Sequence, residues 1–202
     1  MNDSSSSPRP PADHARFELR SAALADTLAI GRAVATLCRE GDVLALAGEL
    51  GAGKTQLVRG LAEGLGLDPA RVASPTFVFL HEYEPAPPAS PASPGSAGAP
   101  GSPGSPDDNV TPRLTLIHLD AYRLTGSDDL ATIGFDLDDP DYRAGCVVAI
   151  EWPQRLGPSI DPGLTFTLEH APPSRRITVI AHSAWRNRLD PLQHEITPFQ
   201  TP

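Results

Sequence analysis

The segment Gly48-Glu49-Leu50-Gly51-Ala52-Gly53-Lys54-Thr55 constrains this chain more than any other stretch. It reads G-x-x-x-x-G-K-T, a glycine-rich loop whose backbone amides can cradle a phosphate chain. At ordinary glycine frequency such a pattern arises by chance in roughly one chain in a hundred of this length. The flanks fit the motif. Val43-Leu44-Ala45-Leu46-Ala47 is an apolar run of strand length, and Leu57, Leu61 and Leu65 recur at helical spacing beyond the loop. Gly64 and Gly66 mark a helix stop, with Pro69 beyond. Strand, loop and helix together aim amides and the positive end of a helix dipole at an anion. The motif assigns Lys54 to the β- and γ-phosphates and the Thr55 hydroxyl to Mg²⁺. Gly51, Ala52, Gly53 and Gln56 complete the expected nucleotide-binding turn. Lys54 is the only lysine, the other 15 basic residues being arginine. A planar guanidinium cannot fold over a phosphate chain as a compact ammonium can, so the one lysine stands where that chemistry is needed.

A chain of 202 residues suits one domain with a well-buried core. Cys38 and Cys146 lie in apolar patterns and are expected as reduced, buried thiols. No apolar run approaches membrane-spanning length, and Met1 to Pro11 is Ser/Pro-rich without the hydrophobic stretch of a secretory signal. A cytoplasmic protein without membrane contact is the expectation. The net charge of −9 argues against unaided nucleic-acid binding, for which a basic footprint is expected.

Three segments read as unstructured: residues 1–12, the stretch 85–112, and a tail over 187–202. In the second, 23 of 28 residues are Pro, Ser, Ala or Gly, which cannot bury enough apolar surface to offset ordering entropy. The phosphate-loop domain is then expected over 13–186, interrupted by that insertion. Arg16 to Arg20 alternates like a strand, and Ser21 is placed to cap a helix running to about Glu40, with Gly41 as its stop. Val72 to Glu84 reads as extended. Leu114 to Leu119 and Cys146 to Ile150 are apolar strands ending at Asp120 and Glu151, and Leu164–Leu168 and Arg176–Ala181 close the core. Few helices follow Gly66 while strands come in succession. The fold class expected is α/β, a single compact P-loop domain with a mixed central sheet flanked by helices.

In such a sheet ligands bind beyond the carboxyl ends of the strands. Asp120 and Glu151 both stand there, and a phosphate-loop enzyme needs one carboxylate near Mg²⁺ and a group to orient water. The residues themselves leave open which does which. Thr76, in Ser74-Pro75-Thr76, is placed to sense γ-phosphate and metal, with a Pro-fixed turn as the plain alternative. Trp152 follows Glu151 at the rim, either as core or as a contact to nucleotide or partner. The acidic stretch from Asp128 to Asp141 reads as solvated surface.

These pieces in order resemble the TsaE family, the small bacterial ATPase of tRNA threonylcarbamoyladenosine biosynthesis. The matching residues are Gly48 to Thr55, Ser74-Pro75-Thr76-Phe77, Glu82-Tyr83, His118-Leu119-Asp120-Ala121-Tyr122-Arg123-Leu124, Ile133-Gly134-Phe135 and Glu151-Trp152-Pro153. The resemblance spans roughly Phe17 to His182. It implies a P-loop α/β fold that binds and slowly hydrolyses ATP with Mg²⁺. It implies work with a two-protein complex that transfers the threonylcarbamoyl group, tRNA being held only through those partners. It further implies Lys54 as the phosphate lysine, Thr55 and Glu151 as magnesium ligands, Asp120 as the carboxylate supporting hydrolysis, and Thr76 as a switch-like threonine. The insertion and both terminal extensions depart from the family pattern without touching a motif.

Two other functions fit the loop alone. A small-molecule or nucleotide kinase usually carries an arginine-bearing lid, whereas the middle region here holds only Arg113 at its end, with Arg123 and Arg143 as further possible phosphate contacts. A scaffold using ATP as a structural ligand would not need Asp120 and Glu151.

Overall fold

The central apolar run forms a strand, Val43–Gly48, that delivers the phosphate loop at its carboxyl end. The computed structural model describes residues 14–75, 79–86, 113–137 and 139–201. Thr76, the N-terminal extension and the insertion from 87 onward lie outside the described residues. The strands are β1 (Ala15–Ser21), β2 (Val43–Gly48), β3 (Leu80–Tyr83), β4 (Thr115–Asp120), β5 (Cys146–Glu151), β6 (Leu164–Ala171) and β7 (Ser174–Ala181). The helices are α1 (Leu24–Ala35), α2 (Lys54–Gly64), α3 (Asp128–Thr132), α4 (Pro140–Arg143) and α5 (Leu189–Ile196).

The seven strands form one mixed sheet in the order β1-β7-β6-β2-β5-β4-β3. β2 pairs in parallel with β5 and β6, and β4 pairs in parallel with β5. The edges are antiparallel: β1 with β7, β7 with β6, and β3 with β4. A strand buried on both faces needs apolar side chains at every position, which is why β2 and β5 read as unbroken apolar runs. Their alternation feeds two cores. Leu44, Leu46, Val147 and Ala149 face the layer that contains Ile30, Leu57 and Leu61. Val43, Val148 and Ile150 face Leu130, Phe135 and Leu156 on the other side.

The helix that starts at Lys54 is fixed from behind by α1. A Cβ on Gly60 would lie 2.2 Å from the carbonyl oxygen of Leu28, and one on Gly31 would lie 2.4 Å from that of Leu57. The two helices therefore cross backbone to backbone, which only glycine allows. α1 is shorter than expected. Ser21 belongs to β1, and its hydroxyl bonds the Ala23 carbonyl and Thr27 instead of capping the helix. The cap comes from Asp26, whose Oδ2 accepts from the amides of Ala22 and Ala23 at 2.7 and 3.0 Å. The helix ends at Ala35, and Gly41 donates its amide to Cys146 O in the turn into β2.

The tail expected to be flexible from 187 folds as α5. Trp185, Leu192 and Ile196 are fully buried, and Leu189 packs against the same core. Positions 189, 192 and 196 share one face of α5, and Trp185 packs from the turn before it. Arg188 is buried and bidentate on Asp42, with Nη2 2.8 Å from Oδ1, and its guanidinium lies 3.9 Å from the Trp185 ring centroid. The free thiols Cys38 and Cys146 are half-buried rather than buried. Burial pushes both thiols up, with the Asp42 carboxylate adding to Cys38 and Glu82 to Cys146. At the far end of β6, His182 Nε2 and Thr165 Oγ1 are 2.9 Å apart, and the His14 ring packs edge-on against His182 at 4.7 Å. Among the described residues no helix is long and apolar enough to cross a membrane.

Candidate functional site

The glycines of the loop take conformations that side chains rarely adopt, φ 145° at Gly48 and 109° at Gly53. Gly53 caps α2, whose first turn carries no acidic residue, so the helix's positive end is left to an external anion. Ala52 is fully buried and offers only its backbone. Gln56 Oε1 accepts from Arg59 Nη1, and Arg59 Nε donates to Val72 O, tying the helix to the segment that leads to Ser74.

Lys54 is 4% exposed, and its ammonium donates to the carbonyls of Gly48 and Glu49 at 2.8 and 2.9 Å. The same nitrogen lies 4.0 Å from the centroid of the Trp152 indole, a cation–π contact. Burial pulls this ammonium below the usual lysine range, and Glu151 and Asp120 push back. Trp152 reaches the loop because it sits in the left-handed region at φ 59°, an unusual state for a bulky residue, with its amide on Leu46 O. The Tyr122 ring stacks tilted against it at 5.0 Å.

Asp120 and Glu151 end adjacent parallel strands as register partners, and both are buried. Glu151 Oε1 accepts from the Thr55 hydroxyl at 2.7 Å and from His118 Nε2 at 3.0 Å. Asp120 Oδ2 accepts from the Ser74 hydroxyl at 3.1 Å, and Oδ1 from the Tyr122 amide at 2.9 Å. The two carboxylates thus have different neighbours: Glu151 is joined to the phosphate-loop helix, Asp120 to the segment beyond it. Around them is a cleft of about 560 Å³, lined by Gly51, Gly53, Lys54, Thr55, Gln56, Ser74, Asp120, Glu151 and Trp152 among others.

All the expected site residues among the described ones converge here, and Thr76 lies outside them. The residue types fit Mg²⁺, a hard ion that takes oxygen donors. Thr55 and Glu151 place a hydroxyl and a carboxylate in direct contact at the loop, and among the described residues no group of three or more His, Cys, Asp or Glu forms a full metal cage. A hydroxyl and one carboxylate are oxygen donors of the kind Mg²⁺ takes beside phosphates. Two contributors had no role assigned from sequence. His118 stands two residues before Asp120 on the same strand face, opposite the small Ala149, and that spacing was the available signal. Ser74 was overshadowed by Thr76, and nothing in its local pattern points to Asp120.

A mixed sheet whose central strand ends in a glycine loop beside two registered carboxylates defines a phosphate-loop α/β domain. The family described as Threonylcarbamoyl adenosine biosynthesis protein TsaE matches residues 21–91 and 107–177, more than half of the chain. The chain belongs to that family. A Streptomyces coelicolor tRNA threonylcarbamoyladenosine biosynthesis protein TsaE is 38% identical over 128 residues, 61% of this chain and 64% of that one. Its counterpart from Treponema pallidum is 35% identical over 157 residues, 76% of this chain and 93% of that one. The crystal structure of Bacillus subtilis YdiB superposes with a TM-score of 0.55 at 26% identity, covering 92% of this chain and 96% of that one.

Proposed function

We propose that this chain binds ATP with Mg²⁺ and hydrolyses it slowly in support of tRNA threonylcarbamoyladenosine formation. It acts in the cytoplasm on a two-protein complex that carries out the threonylcarbamoyl transfer and holds the tRNA. The observation that carries this reading is the contact of Thr55 with Glu151 beside the phosphate loop, with Asp120 in register one strand away.

Lys54 turns from the carbonyls of Gly48 and Glu49 toward the β- and γ-phosphates, exchanging neutral acceptors for charged ones. Thr55 and Glu151 would hold the metal, which when bound would supply positive charge beside the phosphate oxygens. Asp120, held by the Ser74 hydroxyl and the Tyr122 amide, orients the attacking water. Trp152 and Tyr122 form the rim that shields the phosphates. Thr76 acts as the switch-like threonine.

Phosphate release by the purified chain, with and without the transfer proteins, tests this reading. Slow Mg²⁺-dependent release, stimulated by the partners and lost in a folded Lys54→Ala variant, is expected. Normal release by that variant would sink the assignment. Turnover that requires a small phosphate acceptor would make the protein a kinase.

A further inference from the structure

Strand β7 carries a charged residue in an otherwise apolar row. Ile177, Val179 and Ala181 are buried on one face of the sheet, and by alternation Arg175 continues that row toward the phosphate loop. The loop rests on this end of the hairpin. A Cβ built on Gly53 would lie 3.5 Å from Arg175 Nε and 3.7 Å from its Cδ, and one on Gly48 would lie 2.5 Å from Leu168 O. Arg175 Nε is shielded from solvent and has no hydrogen-bond partner among the described residues. Nor does any carboxylate among them form an ion pair with Arg175, although the chain carries a net charge of −9. The neighbouring Arg176 is exposed and has Glu169 at 3.8 Å.

A shielded, unpaired guanidinium N–H lowers stability unless something offsets it. An anion held by the loop amides on the other side of Gly53 is the compensation this position offers. Resting on the nucleotide reading above, we infer that Arg175 is a positioning residue for the bound phosphates. Its stem supports Gly53 at φ 109°, and its charge raises the potential of the loop from below without touching the ligand. Gly53 has no side chain to hold that charge farther off, and partial burial limits screening by salt.

Isothermal calorimetry on the full chain tests this, with ADP, inorganic diphosphate and adenosine as ligands at low and high ionic strength. Arg175→Gln and Arg175→Met keep an aliphatic stem but no charge, Arg175→Lys keeps the charge, and Arg176→Gln is the control. Both neutral variants should weaken ADP and diphosphate roughly tenfold, the scale of one charge acting over a few ångströms in a partly screened site. Adenosine affinity should be unchanged, Arg175→Lys should recover most of the loss, and Arg176→Gln should match wild type. Wild-type affinity in the neutral variants overturns the proposal. So does an equal loss in Arg175→Lys, which leaves only packing, or unfolding of both neutral variants, which assigns Arg175 to the fold. A wild-type chain that binds neither ADP nor diphosphate refutes the nucleotide reading itself.

Discussion

Thr55 donates its hydroxyl to Glu151 Oε1 across 2.7 Å, joining the first turn of α2 to the last residue of β5. His118 reaches the same oxygen from β4. Three neighbouring elements thus meet at one carboxylate oxygen.

Replacing either end of that contact should separate binding from turnover. In Thr55→Ala and Glu151→Gln, phosphate release should fall by roughly a hundredfold, the cost of removing one charge-stabilising group. ADP affinity without Mg²⁺ should stay within about threefold. His118→Asn should weaken Mg²⁺ dependence by about tenfold through misorientation of Glu151. Metal titrations of phosphate release and metal-free calorimetry check both halves.

Asp120 accepts from the Ser74 hydroxyl and the Tyr122 amide, and in the proposed mechanism it acts on water rather than on the nucleotide. Asp120→Ala should therefore lower kcat much more than it raises the Kd for ATP. An unchanged rate would remove Asp120 from the site.

The crossing of α1 and α2 leaves no room for a methyl group. Gly60→Ala should cost about 2 kcal/mol or more, since its Cβ would fall 2.2 Å from Leu28 O and backbone must move. Urea melts measure this, and a loss below about 0.5 kcal/mol would mean the helices slide apart freely.

Arg188→Met should destabilise the fold by about 3 kcal/mol by stranding the buried Asp42 carboxylate. The double variant with Asp42→Leu should recover much of that loss. Denaturation midpoints of the two variants decide the matter.

His182 gives the fold an acid-side weakness. Burial holds its imidazole below the usual value of 6.5, His14 pushes the same way, and Asp161 opposes them. Near that pH the unfolded chain binds more protons than the folded one, so stability rises with pH there and is lost as pH falls. Thermal melts from pH 7.5 to 5.5 should show the decline, and His182→Gln should flatten it.

Much of this was legible in the sequence because it depends on short-range pattern. The loop, the two parallel strands ending at Asp120 and Glu151, and the mixed sheet follow from apolar runs and glycine spacing. What was missed depends on contacts between distant residues. Ser21 resembles a cap, yet Thr27 and the Ala23 carbonyl take its hydroxyl, and Asp26 does the capping. Positions 189, 192 and 196 do carry helical spacing, but the partner that holds Arg188 is Asp42, 146 residues away in sequence. Arg175 is likewise visible only once β7 is laid beside the phosphate loop.

The hairpin of β3 and β4 pairs Leu80 with Leu119 next to Asp120, and Tyr83 with Leu116 at its opposite end. The Pro/Ser/Gly-rich insertion leaves and returns at that opposite end, between two points already held side by side. The closure entropy of such a detour grows only logarithmically with its length. Lineages can therefore lengthen, shorten or replace the insertion while Asp120 stays fixed. The same junction offers a place to graft a reporter domain without disturbing the chemistry.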